Sequence, residues 1–368
     1  MSIRTDRLDA GYGKQPLIKG VTLFAGQETV LTLIGPNGSG KSTVLKSITK
    51  QLKKMGGAVY LDGRDMETLK GAQIAKKMSI VMTEPLRTEF MSCRDVVSTG
   101  RYPYTGRLGI LSAGDWEAVD SALEIVGAKE ISYRDFMKIS DGQRQRVMLA
   151  RAICQDTGAL ILDEPVSFLD MKYKLDILGN IRKMAHERKL SVILSLHELD
   201  LARMVSDVVA CVDGEKIERI GMPEEIFEGD YIQSLYGVEA DSFDPVLGSM
   251  YLPGAKGVPK VFVIGGGGSG IPSYYHLQRK NISFAAGALC ENDLEYSAAK
   301  ALAAEVVSVP AFHPVGDRQV ERGKLLIDKC AGCLCPLGNF GPVNIKNREL
   351  LEYARKAGKL RHCIEDVL

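Results

Sequence analysis

The 368-residue sequence is 45% apolar and 25% charged, the composition of a soluble globular protein with length enough for two domains. Its formal net charge of +1 leaves neither a basic field suited to nucleic acid nor an acidic excess suited to a cationic partner. No apolar run reaches the length of a bilayer span, and the opening Met1-Ser2-Ile3-Arg4-Thr5-Asp6 carries no apolar core of a secretory signal. The 8 cysteines are therefore expected to be reduced thiols.

In chain order, the nearly unbroken apolar runs at 29–34, 78–82, 159–162 and 191–196 predict strands buried on both faces of a parallel sheet. Between them, Ser112 and Gly127 bracket an amphipathic run as N-cap and C-terminal glycine of a helix. Residues 208–220, broken by Asp213-Gly214, predict a hairpin. A stretch rich in Pro, Gly and Ser follows at 241–259 and reads as a linker. The expected domains are 1–242 and 259–368, joined by 243–258. The second domain predicts strands at 260–264, 282–289, 306–312 and 331–336. Helices are predicted to about 280, then at 293–305, 320–329 and 347–356. That alternation is expected to give a small Rossmann-like α/β domain.

Gly35, Pro36, Asn37, Gly38, Ser39, Gly40, Lys41, Ser42 and Thr43 follow the first apolar run and precede a helix-compatible stretch. This is the strand–loop–helix context in which G-x-x-x-x-G-K-[ST] binds a nucleoside triphosphate. Glycines let backbone N–H groups curl around phosphate oxygens, and the helix presents its positive end to the anion. Lys41 supplies charge for the β- and γ-phosphates, and Ser42 offers a hydroxyl to Mg²⁺. The run at 159–162 ends in Asp163 and Glu164. A turn at the strand's end can aim both carboxylates at one site, with Asp163 suited to the metal and Glu164 to the attacking water.

With these elements, residues 1–240 resemble the ABC ATPase family, which implies an α/β P-loop fold with a helical subdomain. Ile139-Ser140-Asp141-Gly142-Gln143 is similar to the family's Leu-Ser-Gly-Gly-Gln signature, and Asp141 stands where glycine is usual. The resemblance implies that Ser140, Gly142 and Gln143 cap the nucleotide bound by a second copy of the chain. Arg146 and Arg151, on the helix that follows, are read as a solvated face. Residues 167–170 resemble the loop that communicates across the dimer, and 195–198 the switch segment, with His197 on the γ-phosphate. Tyr12 falls where the family stacks an aromatic ring on adenine. Glu84 replaces the usual glutamine in the loop that reaches the metal, the attacking water and the membrane partner.

Gly100-Arg101-Tyr102-Pro103-Tyr104-Thr105-Gly106 resembles a segment of iron-siderophore, haem and cobalamin importers. That branch implies two ATPase copies beneath two membrane permease subunits at the cytoplasmic face, with a binding protein delivering substrate. ABC-type ATPases of DNA repair and translation are the other class, but the long coiled-coil insertions or duplicated domains of those proteins are not seen.

In the second domain, Gly265, Gly267 and Gly270 satisfy G-x-G-x-x-G, and Glu291 lies where a ribose-binding acid could sit. The domain is short for an oxidoreductase. A tight turn binding a small anion, or nothing, is preferred to a nicotinamide site, and a sensor that throttles transport is one role for such a tail. Cys330, Cys333 and Cys335 are read as structural thiols ahead of a metal site.

Overall fold

The computed structural model describes residues 1–82, 88–106, 108–238, 243–244 and 249–367. The chain divides into two compact units, Met1–Tyr236 and Gly237–Leu368.

In the first unit the predicted apolar runs become strands Thr29–Ile34, Met78–Val81, Ala159–Leu162 and Ser191–Ser195, joined by Val208–Val212 and Ile217–Gly221. They form one six-stranded sheet ordered 217–221, 208–212, 29–34, 191–195, 159–162, 78–81. All neighbours pair parallel except the last hairpin strand, Ile217–Gly221, which pairs antiparallel with Val208–Val212 as the Asp213-Gly214 turn predicts. A second, antiparallel sheet contains Ile3–Ala10, Ile18–Val21 and Gly56–Leu61. Its periodicity is broken by a register shift within Ile3–Ala10, and no strand is expected there from sequence. Helix Lys41–Ile48 lies between the two sheets. Its Val44, Leu45 and Ile48 share a core with Leu31 and Leu33 on one side and Leu8, Val59 and Leu61 on the other. Apolar residues of two sheets thus fix the helix that the phosphate loop enters.

A helical layer is built from Cys93–Ser98, Ala113–Ile125 and Asp141–Cys154, which pack on one another. Each of the last two starts with a capping box. Ser112 Oγ accepts from Asp115 N (3.2 Å) while Asp115 Oδ2 accepts from Ser112 N (2.9 Å). Ser140 and Gln143 repeat the pattern. Arg101 ties the 100–106 segment to this layer by donating to Asp115 Oδ1 (2.8 Å) and to Cys154 O (3.0 Å).

The expectation of a solvated Arg146 fails. The residue is 4% exposed, its guanidinium donates to Gly127 O at the C-terminus of helix Ala113–Ile125, and it lies 4.0 Å over the Tyr173 ring. An unpaired helix-end carbonyl and an aromatic face together compensate a buried cation. Arg151 is half-buried and donates to Thr99 Oγ1 (2.8 Å).

The second unit holds a five-stranded parallel sheet ordered Glu305–Val309, Phe284–Cys290, Val261–Val263, Gly332–Leu334, Leu360–Arg361. Helices Asp317–Lys329 and Asn347–Lys356 share a core with one face, and Ile271–Arg279 and Tyr296–Leu302 with the other. The strand Leu360–Arg361 is too short to leave a sequence pattern.

Asp115 anchors the helical layer. The hydrogen bonds from Ser112, with the Arg101 guanidinium beside it, hold its carboxyl at about 2, below the ordinary 3.8. A depressed carboxylate contributes stability above its unfolded pKa and loses it as pH falls through the folded value. Asp115→Asn should therefore lower stability by about 1.5–3 kcal/mol at neutral pH, the worth of a charged hydrogen bond. Chemical denaturation at stepped pH should show that difference shrinking as pH falls from 3.8 towards about 2.

Candidate nucleotide site

The loop from Gly35 to Gly40 joins strand Thr29–Ile34 to helix Lys41–Ile48. Gly35 has φ 147°, and a Cβ there would lie 2.2 Å from Val212 O and 2.9 Å from Ser39 Oγ, so the position admits only glycine. Gly35 N donates to the Tyr236 hydroxyl (3.0 Å), which burial holds as a phenol with a pKa of about 12. Pro36 and Asn37 continue the loop to Gly38 (φ 80°) and Gly40 (φ 97°). Lys41 Nζ folds back on the loop and donates to Gly35 O (2.7 Å) and Pro36 O (2.9 Å). Burial lowers the Lys41 pKa, and the charges of Glu164 and Asp163 oppose that shift. Both predicted carboxylates are thus near the predicted cation. Thr43 is buried in the first turn of the helix.

Asp163 and Glu164 leave the end of strand Ala159–Leu162 in different directions. Glu164 has φ 49°, a left-handed conformation uncommon outside glycine that turns the chain at this point. Asp163 is fully buried, and its Oδ1 accepts from Ser42 Oγ (3.0 Å) and Ser195 Oγ (2.7 Å). Ser195 Oγ also accepts from Glu164 N (2.9 Å). The Glu164 carboxylate meets His197 Nε2 at 2.5 Å through Oε1 and accepts from Ser167 Oγ (3.1 Å) through Oε2.

The residues of this site fit a bound triphosphate and a hard cation. Ser39 Oγ is buried in the loop without a hydrogen-bond partner, the kind of group that a phosphate oxygen completes. Ser42 and Asp163 set a hydroxyl and a carboxylate oxygen side by side, a donor pair suited to Mg²⁺.

Tyr12 is 58% exposed, on the loop between Ile3–Ala10 and Ile18–Val21. The end of that loop reaches the phosphate loop, since a Cβ on Gly40 would lie 2.7 Å from the Ile18 side chain. Ser140 and Gln143 cap helix Asp141–Cys154, and Gly142 lies so close to the 167–170 segment that a Cβ would sit 2.9 Å from Phe168 O. Asp141, the departure from glycine, is paired with Arg144 (2.7 Å), which compensates its charge at the first turn of the helix. Glu84 lies outside the described residues.

Sequence reasoning missed Tyr236 and the double role of Ser195. Tyr236 is 201 residues from its partner, which no local pattern signals. Ser195 closes the strand two residues before His197, and that position was the available clue.

A family model described as "ABC transporter" matches residues 18–167, and one described as "MJ0874 family" matches residues 284–366. An uncharacterised ABC transporter ATP-binding protein of Methanocaldococcus jannaschii is 36% identical over 291 residues, spanning 78% of this chain and 99% of the relative. A petrobactin import ATP-binding protein of Bacillus anthracis is 32% identical over 258 residues, 70% of this chain and 94% of the relative. A cobalamin import ATP-binding protein of Halobacterium salinarum is 30% identical over 292 residues, 77% of this chain and 73% of the relative. Among solved structures, a dimeric bacterial ABC transporter cassette superposes with a TM-score of 0.55 at 23% identity, covering 60% of this chain and 98% of its own, and shares the fold.

The Gly35–Tyr236 contact yields a test. Tyr236→Phe removes the acceptor of the loop's first N–H, at a cost of about 1 kcal/mol. Titration with a fluorescent ATP analogue should show roughly fivefold weaker binding with the secondary structure retained. Unchanged affinity would show that the loop does not depend on this contact.

A phosphate loop joined to the first of two adjacent carboxylates, and 36% identity across nearly the whole of an ABC transporter ATP-binding protein, lead to one family: the chain belongs to the ABC transporter ATP-binding proteins and is an ATP-hydrolysing transport ATPase.

Proposed function

We propose that this ATPase drives uptake of a metal chelate of the siderophore, haem or cobalamin type, hydrolysing ATP between two copies of the chain. Import is supported by the petrobactin and cobalamin import functions named for its relatives, which align over 70% and 77% of this chain. The described residues include no helix long and apolar enough to cross a membrane. In this reading two integral-membrane permease subunits hold the ATPase pair at the cytoplasmic face, and an extracytoplasmic binding protein selects cargo.

The observation that carries the catalytic reading is the sorting of two adjacent carboxylates, Asp163 onto Ser42 and Glu164 onto His197. The glycine-rich loop and Lys41 bind the triphosphate, and Tyr12 stacks on the base. Ser42 and Asp163 hold Mg²⁺, which when bound neutralises charge on the phosphate oxygens. Glu164 accepts a proton from the water that attacks the γ-phosphate, while His197 and Ser167 keep its carboxylate oriented. Ser140, Gly142 and Gln143, at the start of a 14-residue helix, close over the nucleotide of the second copy. Glu84 takes part in coupling closure to the permease. Residues 1–242 form the motor, 243–258 the linker, and 259–368 a regulatory domain.

Glu164→Gln keeps the shape of the side chain and removes its basicity. ATP turnover should fall by about 10²–10⁴-fold while ATP binding persists. Phosphate release measured beside nucleotide binding distinguishes the outcomes: near-normal hydrolysis in this variant refutes Glu164 as the base.

A further inference from the structure

The sequence of the second unit admits its glycine-rich loop as an anion site, and the structure seats two of the protein's own carboxylates on it. Gly267 N donates to both Asp293 carboxylate oxygens (2.9 and 2.8 Å), and Gly270 N donates to Glu295 Oε2 (2.7 Å). Glu295 is fully buried and accepts a second bond from the Tyr274 hydroxyl (2.8 Å). Burial raises its pKa, while the bonds from Gly270 and Tyr274 favour the charged form. A Cβ on Gly265 would lie 1.9 Å from Glu295 Oε1, so the glycine there makes room for the protein's own carboxylate. The predicted ribose acid, Glu291, is exposed and makes neither of these contacts. Two amides of the turn, Gly267 N and Gly270 N, are thus held by the protein's own carboxylates, while Ser269 Oγ is buried there without a partner.

Next to the filled loop a cavity of about 440 Å³ opens, within the range of small-ligand sites. It lies beyond the carboxyl ends of Gly332–Leu334 and Leu360–Arg361. In the strand order of this sheet, the chain runs from Val261–Val263 to one side and returns on the other at Gly332–Leu334. Parallel sheets bind ligands outside the carboxyl ends of their strands, and this cavity lies one strand outward from the switch point between Val261–Val263 and Gly332–Leu334. Leu337 joins the two features, lining the cavity and lying 3.4 Å from the Cβ position of Gly266.

The wall is predominantly cationic. Arg355 and Arg361 line it with His276 and His362. Arg361 is held by the backbone carbonyls of Gly358 (2.7 Å), Leu360 (3.0 Å) and Asp366 (3.2 Å), which leave its charge unneutralised. Among the described residues the Arg355 guanidinium has no ion-pair or hydrogen-bond partner. The acid in the wall, Glu365, faces His276 at 3.6 Å. No group of three or more His, Cys, Asp and Glu side chains is assembled for a metal among the described residues, although Cys335 and Cys363 also line the cavity. The open guanidinium fork of Arg355 and the unengaged Nη2 of Arg361 suit an oxyanion, with Glu365 and, at Cys363 N, Asp366 (3.3 Å) as the facing carboxylates.

We propose that the Gly237–Leu368 unit binds a small organic polyanion, carrying carboxylate or phosphate groups, in the cavity between Arg355, Arg361 and His362. Cys363 is an exposed thiol in that wall and reports on it directly. The experiment uses the intact chain and peptide mapping to follow alkylation of Cys363, so that anions bound at the ATP loop do not register. Because Asp366 and Glu365 border Cys363, the field of the cavity is read from the change on substitution: Arg355→Gln, at the exposed end of its helix, should lower the ratio of iodoacetate to iodoacetamide labelling. Citrate and fructose 1,6-bisphosphate serve as carboxylate and phosphate probes. One of them should slow iodoacetamide labelling of the unmodified chain, with about tenfold more probe needed in Arg355→Gln, the loss expected for a charged hydrogen bond. Protection by citrate assigns the ligand to polycarboxylates, and protection by the bisphosphate to phosphate esters. If neither probe slows labelling, or if either protects Arg355→Gln equally well, the proposal is wrong.

Discussion

A single carboxylate oxygen, Asp163 Oδ1, accepts from a hydroxyl on the phosphate-loop helix and from a hydroxyl at the end of the neighbouring strand. The group is fully buried, so each bond compensates a charge that would otherwise be costly to hold away from water. Through Ser195 the same node reaches the backbone N–H of Glu164, which places the second carboxylate on His197. Four elements are registered by this network: the phosphate loop, the strand bearing the acids, the strand bearing Ser195 and the segment bearing His197. The parallel sheet puts their carboxyl ends on one edge, and the hydrogen bonds fix their spacing there.

Much of this was legible in the sequence, because the signals were local and strong. Unbroken apolar runs marked Thr29–Ile34, Ala159–Leu162 and Ser191–Ser195 as doubly covered strands, and each is buried along nearly its whole length. Ser112 and Gly127 bracketed a helix that begins and ends beside them. What stayed hidden depends on distance along the chain. Arg146 sits on a helix rich in polar residues, and only the fold brings Gly127 and Tyr173 to its guanidinium. The first antiparallel sheet pairs strands through irregular registers, so its alternation is broken before it can be read. Asp141 reads in the sequence only as a departure from glycine, and the structure adds that Arg144, one turn along, pairs with it.

The two glycine-rich turns of this protein make a physical contrast. Both follow an apolar strand at the inner part of a parallel sheet and both lead into a helix. At Gly35–Gly40 the loop retains an unpartnered buried hydroxyl and a lysine folded onto its carbonyls. At 265–270 Ser269 Oγ is likewise buried and unpartnered, but the turn carries no lysine and its Gly267 and Gly270 amides are bound to Asp293 and Glu295. The motif alone records that the backbone must come close to an anion. Whether that anion is a ligand or a side chain depends on acids some twenty-five residues downstream, which the spacing does not identify.

The proposed mechanism divides the labour between neighbouring acids, with Asp163 serving the metal and Glu164 serving the water. Electron paramagnetic resonance of Mn²⁺ in place of Mg²⁺, titrated into the protein with ATP present, tests that division before any turnover is needed. Asp163→Asn should weaken Mn²⁺–ATP binding by at least about tenfold, since a charged ligand is lost, while Glu164→Gln should leave it within about twofold of the unmodified protein. Equal loss of metal in the two variants would contradict the assignment.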